Sequence, residues 1–219
     1  MPAAAAADGW LFVFAGNQVE NDSAYFRATY IGNMEDSGGP PDPDWVCPFD
    51  DVEKDAYYFE PVKWAVQNRI TTGTSDTAFS PDLTCTRAQM VTFIWRSKGC
   101  PEPESTNNPF TDVKEDAYYY EAVLWAAEQK ITIGTSTTTF CPDDTVNRAQ
   151  SVTFLWRLEG SEVVAADRPF TDVDADAYYA KAVDWAVKNQ VTTGVTETSF
   201  APETTCTRAH IVTFLYRAE

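Results

Sequence analysis

Apolar residues fall into three stretches with the same spacing along the chain. Tyr58, Val62, Ala65 and Val66 recur at helical intervals, as do Tyr119, Val123, Ala126 and Ala127, and again Tyr179, Val183, Ala186 and Val187. Each set predicts a short amphipathic helix that starts near its Tyr. Pro61 fits only in a first turn, where its missing N–H has no intrahelical partner. Gly73, Gly134 and Gly194, each followed by a Thr/Ser-rich stretch, predict the end of that helix and a loop. Phe79, Phe140 and Phe200, each followed two residues later by Pro, then return the chain to the core.

A second helix is predicted from Thr86-Arg-Ala-Gln89, Asn147-Arg-Ala-Gln150 and Thr207-Arg-Ala-His210 to Arg96, Arg157 and Arg217. In two copies, those with Gln, the opening suits a capping box: the first residue's oxygen accepts from the third helical N–H, and Gln reaches back to the cap N–H. Cys206 with Ile211 suits a hydrophobic staple, which Ser151 weakens in the middle copy. Trp95, Trp156 and Tyr216 lie on this apolar helix and read as packing residues.

The two helices and their loop form a unit repeated three times, opened by Pro48-Phe-Asp-Asp-Val52, Pro109-Phe-Thr-Asp-Val113 and Pro169-Phe-Thr-Asp-Val173. The chain therefore divides into a leader over 1–47 and repeats over 48–100, 109–160 and 169–219. Gly99 and Gly160 open the linkers between copies. In the leader, Trp10 to Phe14 and Tyr25 to Ile31 look strand-like around a polar turn, ahead of the Gly/Pro-rich Ser37 to Pro43, so a small β-hairpin is expected there. The fold class is mainly α, with three tandem helix-loop-helix repeats.

At 219 residues and 44% hydrophobic, the chain is long enough to bury a core. Its net charge of -17 repels nucleic acid and anionic membrane, and an anionic partner must instead be caught by local cations. No apolar run reaches the roughly 18 residues of a membrane span, which argues against membrane insertion. No signal peptide is visible either, which suggests a piece from the C-terminal end of a longer protein. Five cysteines cannot all pair internally. Cys85 and Cys206 share a repeat slot with Val146 and are expected buried; Cys47 and Cys100 bracket the first repeat, but no bridge is predicted.

Arg87, Arg148 and Arg208 stand at the first position of the second helix in every copy. A cation there opposes the helix dipole, so a compensating anion is expected. Free N–H groups at the same terminus would add to an anion site, and guanidinium matches a carboxylate fork. That anion is either external or one of Asp51, Asp112 and Asp172. Trp64, Trp125 and Trp185 are either core residues or sugar-stacking faces. Gly73, Gly134 and Gly194 supply a backbone turn and room for close approach of a ligand. His210, the single histidine, fills the slot of Gln89 and Gln150 and reads as a cap rather than a general base. The Asp pairs sit where turns favour Asp, and no loop has EF-hand spacing, so no catalytic residue, cofactor or metal site is predicted.

The combined pattern Phe-x-Asp-Val, Tyr-Tyr, Ala-Val-x-Trp-Ala, Ile-Thr-x-Gly, Phe-x-Pro and Thr-Arg-Ala-Gln resembles the S-layer homology (SLH) family in every copy, from about Pro48 to the end. The resemblance implies a pseudo-threefold bundle with ligand grooves between neighbouring repeats. It implies a non-catalytic module that anchors a bacterial surface protein by binding acidic, often pyruvylated, secondary cell-wall polysaccharide. Arg87, Arg148 and Arg208 would then meet the acidic sugar, with the Trp and Gly residues beside them. The expected location is extracellular, at the cell wall or S-layer, and the expected further partners are upstream cargo domains or a surface-layer protein. Gln or His stands where the family often has Glu, and Asn147 replaces the usual Thr, which bears on local capping and the middle groove. The alternative is a protein-interaction or self-assembly module without sugar binding, which would assemble in light scattering with no polymer present.

Overall fold

The computed structural model describes residues 45–166 and 168–219, together with two short strands near the start of the chain. Strands β1 (Ala4–Ala7) and β2 (Trp10–Val13) pair antiparallel, with Ala4 opposite Val13 and Ala7 opposite Trp10. The expected strand at Trp10 is present, but its partner is the alanine run before it. The intervening Asp8-Gly9 is a sequence favoured in two-residue hairpin connections. Tyr25 to Ile31 lies outside the described residues.

From Cys47 onward the chain forms a second compact unit. It contains α1 (Phe59–Gln67), α2 (Arg87–Ser97), α3 (Tyr120–Glu128), α4 (Arg148–Leu158), α5 (Ala180–Lys188) and α6 (Arg208–Ala218). Tyr58 is the N-cap of α1, and Pro61 falls in its first turn as its fitness for a helix requires.

These first helices stop earlier than the glycines suggested. Arg69, Lys130 and Gln190 adopt left-handed φ values of 59°, 59° and 59°. In the first copy Ile70 N donates to Ala65 O at 2.7 Å and Arg69 N to Val66 O at 3.0 Å, a Schellman closure made without glycine. The reason lies one residue on. Ile70, Ile131 and Val191 are almost fully buried. Burying such a side chain stabilises by about 1.5–3 kcal/mol, enough to offset the roughly 1–2 kcal/mol cost of the left-handed residue.

Capping boxes open α2, α4 and α6 in all three copies. Asn147, which replaces the usual Thr, makes the shortest cap bond of the three: Gln150 N donates to its Oδ1 at 2.8 Å, against 3.2 Å to Thr86 and 3.4 Å to Thr207. His210 caps as Gln does, its Nδ1 accepting from Thr207 N at 3.2 Å.

Packing between copies closes the repeats into a pseudo-threefold ring: α2 packs on α3, α4 on α5, and α6 returns to α1, while α2, α4 and α6 meet one another. At their junction Cys85 N donates to Cys206 O, Cys206 N to Val146 O and Val146 N to Cys85 O, each at 2.9 Å. These three slots are fully buried, as the Cys/Val interchange suggested, and burial pushes the Cys85 thiol up to about 12. All five cysteines are free. Where α2, α4 and α6 end, Lys98 pairs with Glu159 at 3.5 Å and Glu219 at 3.1 Å, one cation joining all three copies.

Inside each copy the opening Asp staples the loop. Asp51 accepts from Phe79 N at 2.8 Å and Ser80 N at 2.7 Å, and Asp112 accepts from Phe140 N at 2.8 Å and Cys141 N at 2.7 Å. Asp172 does the same for Phe200 N at 2.9 Å and Ala201 N at 2.8 Å. Ser80, Cys141 and Ala201 are themselves left-handed, so the carboxylates hold a backbone that these side chains disfavour. Phe79, Phe140 and Phe200, fully buried, pack beside Phe49, Phe110 and Phe170 at 5.9, 5.7 and 5.7 Å between ring centroids.

Candidate functional site

Each first-position Arg reaches out of its own repeat. Arg87 Nε donates to Phe140 O at 2.8 Å, Arg148 Nε to Phe200 O at 2.8 Å, and Arg208 Nε to Phe79 O at 2.9 Å. The guanidinium carbon of Arg87 lies 4.9 Å from the Phe140 ring and 5.4 Å from that of Phe154; Arg148 lies 4.8 Å from Phe200 and 5.3 Å from Phe214. Arg208 meets Phe79 and Phe93 at 4.8 and 5.4 Å. Copy one thus holds copy two, two holds three, and three holds one.

The internal carboxylates do not compensate the cation at the helix start, and backbone carbonyls take up the terminal N–H groups. The N–H groups of Arg87 and Ala88 donate to Asp144 O and Pro142 O, those of Arg148 and Ala149 to Thr204 O and Pro202 O, and those of Arg208 and Ala209 to Leu83 O and Pro81 O. With the third N–H held by the cap, these termini have no free donors to offer an anion. Asp51, Asp112 and Asp172 spend their oxygens on backbone N–H groups, and no ion pair joins any of them to Arg87 or Arg148. A carbonyl and two aromatic faces take the anion's place beside each guanidinium. Burial lowers the Arg87 and Arg148 pKa values, yet a guanidinium stays charged at any physiological pH.

The other edge of the guanidinium faces a groove. Arg148 Nη2 donates to Thr192 Oγ1 at 3.2 Å, and Thr192 Oγ1 in turn accepts from Gly194 N at 3.2 Å. This Thr-x-Gly turn, Arg148, His210, Phe214, Arg217 and Tyr57 line a groove of about 330 Å³. It is built by three copies: Arg148 from the second, the loop and α6 from the third, Tyr57 from the first. Arg217 Nη1 donates to Val191 O at 3.3 Å, which sets it beside the same turn.

Related residues meet elsewhere in the ring: Tyr178 acts electrostatically on both Arg87 and Arg157, and Tyr118 on Arg96. Arg157 Nη1 reaches Ile131 O at 3.3 Å and Arg96 Nη1 reaches Ile70 O at 3.2 Å, and their pKa values are lowered by burial, with Tyr178 and Tyr118 acting on them in the opposite sense. The groove beside Arg148 therefore carries a pair of cations, Arg148 and Arg217, in a chain whose net charge is -17. A larger concavity of about 450 Å³ is lined by Asp51, Glu53, Tyr58 and Asp82 and would repel an anion.

Glycine is required at the turn. A Cβ on Gly73, at φ +86°, would come within 2.5 Å of both Ala78 O and the Phe49 ring. Trp125 and Trp185 are 8% and 4% exposed and sit in the core, and Trp64 is half-buried against Tyr216 at 5.6 Å. The indoles do not border the groove beside Arg148.

Arg96, Arg157 and Arg217 were read only as helix ends, and the first Tyr of each Tyr-Tyr pair only as part of the repeat motif. Their recurrence at fixed spacing in all copies was the available signal. Which groove each enters depends on a neighbouring copy, which spacing within one copy does not specify.

The S-layer homology domain matches three stretches, residues 48–91, 109–150 and 169–211, together more than half of the chain. The chain is similar to an endoglucanase of Bacillus sp. (strain KSM-635), 37% identical over 117 residues, or 53% of the chain and 12% of that protein. It is similar to a cell surface protein of Thermoanaerobacter kivui, 31% identical over 144 residues, covering 64% of the chain and 18% of the relative. It is also similar to the surface-layer 125 kDa protein of Lysinibacillus sphaericus, 30% identical over 142 residues, covering 63% and 12%. The matched part is thus a small fraction of each relative. With three matched copies closed into one ring, the chain belongs to the S-layer homology domain family, whose members are non-catalytic cell-wall anchoring modules of surface proteins.

Proposed function

We propose that this chain anchors a surface protein by binding acidic secondary cell-wall polysaccharide, including pyruvylated polymer, in its three inter-repeat grooves. One observation carries the reading: two arginines, Arg148 and Arg217, line one inter-repeat groove while the chain as a whole bears a net charge of -17. Such a molecule repels polyanions except where local cations are concentrated. A carboxylate on a sugar fits the outer edge of Arg87, Arg148 or Arg208 together with Arg157, Arg217 or Arg96. The Gly turn lets the sugar approach the main chain, and the Tyr from the next copy supplies an amphipathic wall. Sites on one rigid ring add avidity if a single polymer spans them. Surface-exposed cargo upstream, or a surface-layer protein, is what the anchor would carry.

The test is co-sedimentation with purified Gram-positive wall polysaccharide, intact and after chemical reduction of its carboxylates, using the Arg96→Gln/Arg157→Gln/Arg217→Gln variant. Wild type should bind the intact polymer in a salt-sensitive manner, with at least a tenfold loss in the variant and in the reduced polymer. Undiminished binding by a variant that melts like wild type, or equal binding of the reduced polymer, would overturn the proposal.

A further inference from the structure

His210 lines the groove beside Arg148 at a helix position that glutamine fills in the other two copies. Gln89 and Gln150 occupy the third residue of α2 and α4, and His210 occupies it in α6. We propose that His210 makes the third groove a proton-linked anion site, where an acidic sugar draws a proton onto the imidazole and so binds more tightly in mildly acid surroundings. This rests on the reading of the grooves as acidic-sugar sites.

The geometry defines what the ring can do. Its Nδ1 accepts from Thr207 N at 3.2 Å, so the neutral ring carries its proton on Nε2, at the end away from the cap. The imidazole stacks between Tyr57, 6.2 Å away at 28°, and Phe214, 6.4 Å away at 23°, and lines the groove with Arg148 and Arg217. The groups that face it are Arg148 from α4, Arg217 from its own helix, and Tyr57 and Asp82 from the first copy.

Burial first, and Arg148 second, hold the imidazole below its ordinary value, with Asp82 opposing them. The ring is therefore neutral at pH 7 while the groove is empty. A bound carboxylate offsets Arg148 and sets a negative charge near the ring, and such a neighbour shifts a pKa by about one unit or more toward the charged form. On protonation Nδ1 can no longer accept from Thr207 N, but it lies 3.2 Å from Thr207 Oγ1 and can donate there, so the cap rearranges instead of opening.

The sign follows from linkage. The bound-state value exceeds the free-state value, so binding takes up a proton. Affinity rises as pH falls through the bound-state value, and levels off below the free-state value. One unit corresponds to about tenfold. The glutamines of the other two grooves have no proton to gain.

His210 is the single histidine, so its ring signal can be followed by NMR without ambiguity. The whole chain is titrated with pH alone, with a methyl hexopyranoside carrying a 4,6-pyruvyl ketal, and with the same glycoside as its neutral methyl ester. The acidic glycoside should raise the His210 midpoint by about one pH unit and the ester should leave it in place. Calorimetry should show the wild-type complex tightening as pH falls from 7 to 5, toward a limit of about tenfold, and the His210→Gln variant, which keeps the cap chemistry of the other copies, should lose that gain. If the acidic glycoside binds by calorimetry while the midpoint does not move, the proposal is overturned and the grooves remain acidic-sugar sites. If the acidic glycoside does not bind at any pH, both readings fall.

Discussion

Replacing Arg148 with Met keeps the length of the stem and removes the guanidinium. The variant loses a charge-assisted hydrogen bond to a buried carbonyl, Phe200 O at 2.8 Å, an interaction class that contributes about 1.5–3 kcal/mol. It also loses the contacts with Phe200 and Phe214, worth about 0.5–2 kcal/mol for a desolvated cation on aromatic rings. Two effects oppose these losses. A cation leaves a helix N-terminus, a gain of about 0.3–1 kcal/mol, and a charge that is 5% exposed no longer needs desolvation. The losses exceed the dipole gain by about 1–5 kcal/mol before the relief of desolvation is subtracted, so the net expectation is a destabilisation of about 1–3 kcal/mol, and for a body of this size about 2–4 °C of melting temperature per kcal/mol. Urea unfolding followed by tryptophan fluorescence should therefore show a clearly lower midpoint with an unchanged slope. A variant as stable as wild type, or more stable, would mean that dipole and desolvation costs dominate, and that Arg148 does not staple copy two to copy three. The same reasoning makes Arg96, Arg157 and Arg217, which are less buried, the better probes of binding.

Gly134→Ala should destabilise by about 2 kcal/mol or more, because its φ is +79° and the new Cβ would lie 2.5 Å from both Ser136 O and Thr139 O; a melting temperature equal to wild type would refute the close packing of that turn. Burial tends to raise the Asp172 pKa, but hydrogen bonds from Phe200 N, Ser199 Oγ and Ala201 N outweigh it and hold the carboxyl below its ordinary value. Its folded value being the lower one, Asp172 adds stability above its unfolded value of about 3.9, and this is lost as pH falls through the folded value. Stability measured by urea unfolding between pH 5 and pH 2, at the order-of-magnitude limits that linkage sets, should fall less steeply in Asp172→Asn than in wild type; identical slopes would exclude the staple.

Much of the fold was legible because its determinants are local or recur. Period-3.6 apolar spacing located the first helix of each copy, Pro61 confined its start, and the Thr/Asn-Arg-Ala-Gln/His openings located the second to the residue, since a capping box needs only four consecutive positions. The interchange of Cys85, Val146 and Cys206 correctly announced a buried slot. Three errors had one source. The first helices are closed by left-handed Arg69, Lys130 and Gln190 because the next residue is drawn into the core, and a burial term of that kind is invisible in a turn preference. The partner of the Trp10 strand, and the donors taken up at the ends of α2, α4 and α6, were likewise decided by segments that local patterns do not connect.

Three copies, the starts of their helices, and a cation opening each second helix all follow from the residues alone. What that cation does was a tertiary matter. Ring closure brings the Phe140, Phe200 and Phe79 carbonyls and the aromatic faces of the next copy to the guanidinium, so its inner edge is structural. The same closure sets Arg217, and Tyr57 from the copy beyond, along the outer edge of Arg148. A repeat alone contains all of these residue types, but a groove of paired cations exists only where copies meet, because each contributes what its neighbour lacks.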